Sequence, residues 1–476
     1  MAMIKNIFYK EILLNLISFR FHILLVVSVL IFTVSGLLYI NISDTRQDDF
    51  IAQYRMQTDG LHEGSAHLNN LAMLRQHLIR MPKPGEIISL AGEQALPDLI
   101  SFDAFFLGGS DSNKEIFSDI DRYNYMLNNF IPLDWVFIAG ILLSFFILVL
   151  TFDAFPGEKQ SGTLKLQCAY PVSRLSLFFA KYLAFLVLIT LTFLLGTVIC
   201  LITISLASSF QIVLPSIGQI ISVILISLVY FSVFILLGLW FSSITENPAA
   251  SLAYSLFTWM MLVIFIPSGM AMLGEKLRPI PSAFEHTERV NATVKEINDN
   301  APSEAKTYFP PRYYGGQAYP HMDIRKKMID EIDAVSNEYK VIRFNDQLRQ
   351  VNMAVSLGKI SPYVLFRNIS ECIAQNGLQD FENDFVMVVN HRRIFHEFIE
   401  SKDSEDPGSL HFMSSLHPET YSSAPVNFEE IPILTETRQK PLAVLEDAAM
   451  DIGLLILFNL VVLTFGWIGF LRYDVR

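Results

Sequence analysis

The sequence predicts an all-α membrane protein: six transmembrane helices, an N-terminal interfacial helix and a mainly helical extracytoplasmic domain. Two observations carry that prediction. The 476 residues are 52% hydrophobic with 38 Phe and a mean hydropathy of +0.39, too apolar for the roughly three soluble domains that such a length would otherwise suggest. Six windows, near 21–42, 135–153, 177–205, 214–240, 249–272 and 449–471, each approach the ~20 apolar residues that a helix needs to cross a hydrocarbon core about 30 Å thick.

Residues 1–20 form the first element. In "IKNIFYKEILLNLISFRF", Ile4, Ile7, Phe8, Ile12, Leu16 and Phe19 recur at helical spacing with Lys5, Lys10, Glu11 and Asn15 between them. That pattern suits a helix lying in the membrane interface, with a plain extension of the first span as the alternative. The first span, 21–42, is longer than the ~7–15 apolar residues of a signal peptide and lacks a small-x-small cleavage site, so a retained anchor is expected.

The next segment, 43–134, is of mixed polarity. Leu61, Leu68, Leu71, Leu74 and Leu78 suggest helix, and "RMPKPGE" breaks it at Pro82, Pro84 and Gly85. Trp135 opens the second span (135–153) with a side chain suited to a membrane interface. A short polar segment, 154–176, precedes the third to fifth spans, which lie within 177–272.

The long insert 273–447 opens with Pro279 and Pro281. One helical face runs through Ile324, Met328, Ile332 and Val335, another through Phe344, Leu348, Val351 and Val355, and a third through Phe381, Phe385, Val388, Val389, Phe395 and Phe398. Such faces bury against one another, which predicts a mainly helical domain. The stretch 411–434 has loop composition, and 448–476 supplies the sixth span and a short tail.

Charge orients the bundle. The chain carries a net −12, but with the N-terminus inside, the internal segments sum to about +4 and the two long external segments to about −7 and −8. The short segments decide the matter through Lys5, Lys10, Arg20, Lys159, Lys165, Arg174 and Lys181, and place both termini in the cytoplasm. Of three cysteines only Cys372 is external, so no disulfide is expected within the external regions.

Most site chemistry is missing. His391 and His396 are five apart, off the i, i+3 or i, i+4 spacing of metal ligands on one helix, so solvated histidines account for the loose cluster with His411 and His417. No G-x-S-x-G, H-E-x-x-H or paired CxxC occurs, and the spans lack the buried charges of a proton relay. Gly157 and Gly162 in "PGEKQSGTL" are spaced like P-loop glycines, but Thr163 stands where that loop needs its Lys. The segment is short, polar and bounded by Pro156 and Pro171. It reads either as a solvated turn or as an element that inserts into a groove on a soluble partner, with Arg174 able to bond carboxylates or carbonyl ends.

The pattern E-x-x-x-G-T-L from Glu158 to Leu164, followed by P-V-S-R at 171–174 and by Lys181, resembles the coupling segment of ATP-binding-cassette exporter permeases, the six-span family often called type V exporters. The resemblance implies that Glu158, Gly162, Thr163, Leu164, Pro171, Ser173 and Arg174 dock on a nucleotide-binding subunit. Ala180 stands where many relatives have Gly before the Lys. Segments 81–98 and 361–393 resemble a subgroup with large external inserts after the first and fifth spans.

The family implies a non-catalytic permease subunit without a cofactor of its own, with ATP and Mg bound by a partner ATPase. It also implies a second permease, identical or related, membrane lipids around the spans, and a bacterial cytoplasmic membrane. An envelope partner is compatible with the large inserts, and no nucleic acid is expected. The lightly polar fifth span suggests an amphipathic, peptide or lipid-like cargo. The alternative is a mechanotransmission complex that moves its external domains without transporting anything.

Overall fold

The computed structural model describes residues 2–90, 96–97, 99–108, 117, 125–126, 133–165, 173–207, 214–306, 321–415, 417–434 and 441–472. Among the described residues, six helices are long and apolar enough to cross a membrane: Phe19–Gly64, Trp135–Gln160, Arg174–Leu206, Ile217–Ile244, Pro248–Leu277 and Ala448–Arg472. Helix dominates, and the described residues contain one two-stranded sheet. We call the end of the bundle carrying both chain ends the terminal side and the opposite end the insert side.

The N-terminal helix, Ala2–Ile17, ends where Ser18 turns extended (ψ 136) and caps the first span by accepting a hydrogen bond from the Phe21 N–H. Its Leu13, Leu14 and Ile17 face outward, while Glu11 is buried against the protein. The first span differs from the sequence expectation. Its helix does not stop near residue 42 but continues to Gly64, a rod of about 70 Å at 1.5 Å per residue. Hydropathy marks where the apolar stretch ends, and the polar continuation "NISDTRQDDFIAQYRMQTDG" has no Gly or Pro before Gly60 to break the helix.

The Leu61–Leu78 series divides among three elements. Leu61 ends the rod, Leu68 and Leu71 lie in a short helix (Leu68–Met73), and Leu78 lies in strand Gln76–Ile79, which pairs antiparallel with Leu99–Phe102. The two faces around Ile324 and Phe344 also belong together, on one 37-residue helix, Met322–Gly358. The third face forms Leu378–Glu405.

The two inserts fold as one unit. Leu78, Ile100 and Phe102 from the first share a core with Phe344, Leu348, Phe381 and Phe385 from the second, where Phe344 and Phe385 stack. The described stretch 417–434 is irregular with two 3₁₀ turns and hydrogen-bonds back to the chain just beyond the rod: Leu68 N–H donates to Ala424 O and Val426 N–H to Ser65 O, at 3.1 and 2.8 Å. Two segments nominated by resemblance also meet. A Cβ on Gly85 would stand 2.5 Å from the Ala374 Cα, so only glycine allows this approach, and Asn376 donates to the Ser89 carbonyl.

The helix Pro362–Ala374 departs most from expectation. It packs chiefly among the spans, its Tyr363, Leu365, Phe366, Ile369 and Ile373 sharing the bundle core with Trp135, Tyr230 and Leu455, and only its far end, Glu371 and Ala374, meets the first insert at Tyr125 and Gly85.

Candidate functional site

The segment between the second and third spans closes the terminal side of the bundle. Within the second-span segment Trp135–Gln160 the helix breaks after Thr151, the chain turns, and Phe155 N–H donates to Ser242 Oγ of the fourth span at 2.9 Å. Pro156 then occupies the first position of a short helix, Pro156–Gln160, where its missing N–H has no helical partner to lose. Gly162 ends the helix at φ 72°, with its N–H donated to Lys159 O at 3.1 Å. This left-handed residue after a helix end is a common role of glycine. Nothing lies within 4 Å of where a Cβ would stand, so the requirement is conformational. The glycine spacing that resembles a phosphate loop here starts and stops one turn of helix.

The residues nominated for docking divide by direction. Thr163 is exposed, together with Gln160, Ser161 and Lys165, and its Oγ1 lies 2.9 Å from Ser161 Oγ. Leu164 is buried in the bundle core. Glu158 turns inward to Lys181 Nζ at 2.9 Å and to Lys10 Nζ at 3.3 Å. Ser173 caps the third span, accepting from Ser176 N–H at 3.1 Å. Arg174 donates to the carbonyls of Leu471 (2.7 Å) and Phe470 (3.4 Å), the last turn of the sixth span. Pro171 lies outside the described residues.

Lys181, which the sequence pattern includes without a role, is the hub of this cluster. It is 1% exposed and pairs with both Glu158 and Glu11 (3.1 Å), while its ammonium lies 5.7 Å from the centre of the Phe155 ring. Charges buried this far persist only when paired. Two acids and two lysines here balance, and they draw on three elements: the N-terminal helix, the short helix and the third span. A signal was available: a Lys two turns inside an apolar helix must find a carboxylate, and Glu11 and Glu158 are among the few acids on that side.

Two further pairs extend the cluster. Arg20 Nη1 meets Asp153 Oδ2 at 2.6 Å, joining the first and second spans. Lys159 Nζ meets Glu246 Oε1 at 3.2 Å, joining the short helix to the turn between the fourth and fifth spans. Phe155 stacks on Phe470 of the sixth span with ring centres 4.4 Å apart. Displacing the segment 153–164 therefore pulls directly on the N-terminal helix and on contacts to all of the spans except the fifth.

Among the described residues no group of three or more His, Cys, Asp or Glu is arranged to hold a metal ion. Within the insert domain, Asp330, Asp333, Asn337, Arg392, His396 and Lys326 line a cavity of about 360 Å³. Burial, reinforced by Asp330 and Asp103 and opposed by Arg392, raises the Asp333 carboxyl to about 7.

Among curated proteins none matches the chain. A family model described as ABC-2 family transporter protein matches residues 5–475, from the N-terminal helix through all six spans and both inserts. The chain belongs to the ABC-2 family of transporter proteins and is an ABC permease.

Proposed function

We propose that this permease is an exporter subunit that moves an amphipathic, peptide or lipid-like substrate, driven by ATP hydrolysed in a separate subunit that binds the nucleotide and Mg. Two permeases, identical or related, work with two such subunits in a bacterial cytoplasmic membrane, with the terminal side in the cytoplasm. The observation that carries this reading is the short helix Pro156–Gln160. The helix and the five residues after it present Gln160, Ser161, Thr163 and Lys165 outward, while Glu158 turns inward to Lys181 of the third span and Lys10 of the N-terminal helix.

In this reading Gln160, Ser161, Thr163 and Lys165 touch the ATPase, and Glu158, Leu164 and Arg174 transmit its movement. Closure of the ATPases on nucleotide pushes the short helix and shifts the bundle between two packed arrangements. A photoactivatable crosslinker placed at Ser161 tests this. It should capture an ATP-binding chain, whereas the same group at exposed Tyr54, on the rod, should not. Equal capture at both positions, or none at Ser161, counts against the docking assignment.

One observation favours a second reading. The unbroken rod Phe19–Gly64 runs from the Arg20–Asp153 contact to the core of the insert domain, a stiff connection by which ATPase movement displaces that domain without a transported substrate. Inside-out vesicles that hydrolyse ATP but move no amphipathic cargo, together with an ATP-dependent change in protease sensitivity of the insert domain when the same complex is held in nanodiscs with both faces accessible, would favour this mechanical role.

A further inference from the structure

The helix Pro362–Ala374 carries an observation that neither reading uses. Every residue except Asn368 and Cys372 is buried, although the helix belongs to an insert and includes Arg367 and Glu371. Apart from Gly85 and Tyr125 of the first insert at its far end, its main surroundings are the spans. Phe366 stacks on Tyr230 of the fourth span at 4.4 Å, Ser361 Oγ donates to the Leu262 carbonyl of the fifth, and Gln219 Nε2 donates to the Ile373 carbonyl at 2.9 Å.

The helix brings its own charge compensation. Arg367 Nε lies 3.3 Å from Glu371 Oε1, one turn away, and the other Glu371 oxygen accepts from Tyr125 OH at 2.8 Å. Because Arg367 and Glu371 travel together, moving this helix does not strand a charge between them. The ion pair that joins its entrance to a span is a different one. Lys359, in the turn preceding the helix, meets Asp451 of the sixth span at 2.6 Å, and Asn368 donates to the other Asp451 oxygen at 3.4 Å.

Two of the spans against the helix share a backbone feature. The second is a π-helix over Ile138–Leu143 and the fifth over Met261–Phe265, and both stretches contact the helix. Such wide turns are frequent at functional sites within helices.

We propose that Pro362–Ala374 is a gate seated in the insert side of the bundle, and that Lys359, Asp451 and Asn368 form the latch that holds it closed. Unseating the helix opens a space bounded by the second, fourth, fifth and sixth spans. The latch is divided between moving and fixed parts and is partly open to water at Lys359, so it separates reversibly. This deepens the permease reading and rests on it for its role in transport, but the latch itself is testable without an ATPase.

Ser370 supplies the reporter. It is fully buried, and its hydroxyl bonds only within its own helix, to Phe366 O at 2.8 Å, so Ser370→Cys is nearly isosteric. In a full-length chain with its three native cysteines replaced, a membrane-impermeant maleimide reaches Cys at this position only when the helix leaves its seat. We expect slow labelling in that parent and labelling faster by about tenfold with Asp451→Asn, because reaction tracks the open population. Slow labelling should return in the charge-exchanged pair Lys359→Asp with Asp451→Lys, which separates latch loss from misfolding. Equal rates in the parent and Asp451→Asn, or an exchanged pair as fast as the single variant, would overturn the latch. Either result is independent of whether an ATPase accompanies the chain, which is what the permease reading requires.

Discussion

Replacing Lys181 with Met removes the hub of the terminal-side cluster while keeping most of its volume. Lys181 is 1% exposed and within 3.1 Å of two carboxylates, and breaking a buried pair from one side costs about 3–5 kcal/mol because the remaining charge is left uncompensated. Lys10 stays 3.3 Å from Glu158, but its side chain is 42% exposed, so it recovers only about 0–1 kcal/mol. The expected loss is about 2–5 kcal/mol. In thermal denaturation of the detergent-purified chain, 476 residues long, that corresponds to a fall of roughly 2–5 °C. Adding Glu11→Gln and Glu158→Gln removes the stranded charges and should recover most of the loss, since apolar or neutral replacement of a whole buried ionic group is often nearly neutral. A Lys181→Met chain that melts within about 1 °C of the parent, or a triple variant showing no recovery, would refute the hub.

Gly162→Ala should cost about 1 kcal/mol through its positive φ alone, and Gly162→Asn less, because Asn tolerates the left-handed region; thermal denaturation of the three chains checks the order. Arg174→Gln should destabilise the end of the sixth span by about 1–2 kcal/mol through loss of charge-assisted bonds to its last carbonyls, read as faster hydrogen exchange at 468–472. The Asp333 carboxyl, raised to about 7 by burial, Asp330 and Asp103 against Arg392, binds a proton in the folded chain that the unfolded chain releases near 4. Its contribution is therefore fully present at low pH and lost as pH rises through 7. Asp333→Asn should gain stability over the parent between pH 5 and pH 8, and a difference constant across that range would contradict the assignment.

The spans were readable because a long apolar run has few other destinations. Their ends were less so. The helix past residue 42 continues on polar residues that hydropathy does not register, and it is held by the insert core around Leu61, Leu68 and Leu71. Pairing of the two inserts was hidden because Leu78 and Phe344 are 266 positions apart, and no periodicity within either segment points to the other. Pro362–Ala374 reads as part of an external domain because it contains Arg367, Asn368 and Glu371. Burial became possible through pairings, Arg367 with Glu371 and Asn368 with Asp451, that spacing along one helix reveals only in part.

At the candidate site, Pro156 marks the start of the short helix, but its end near Gly162 falls well before Pro171, the far bound that the sequence suggests. The inward turn of Glu158 and the placement of Arg174 on the sixth span depend on which spans lie next to one another, and that is a property of packing.

The central claim is that the segment Pro156–Leu164 couples this permease to a separate ATPase. The most direct test is to purify the tagged chain gently from its native membrane and assay the preparation for ATP hydrolysis, beside a chain with Ser161 and Thr163 both changed to Glu. The account predicts an ATP-hydrolysing subunit with the unaltered chain and its loss from the altered one at equal membrane insertion. A stable preparation without hydrolysis, or one in which both chains retain the subunit equally, would contradict it.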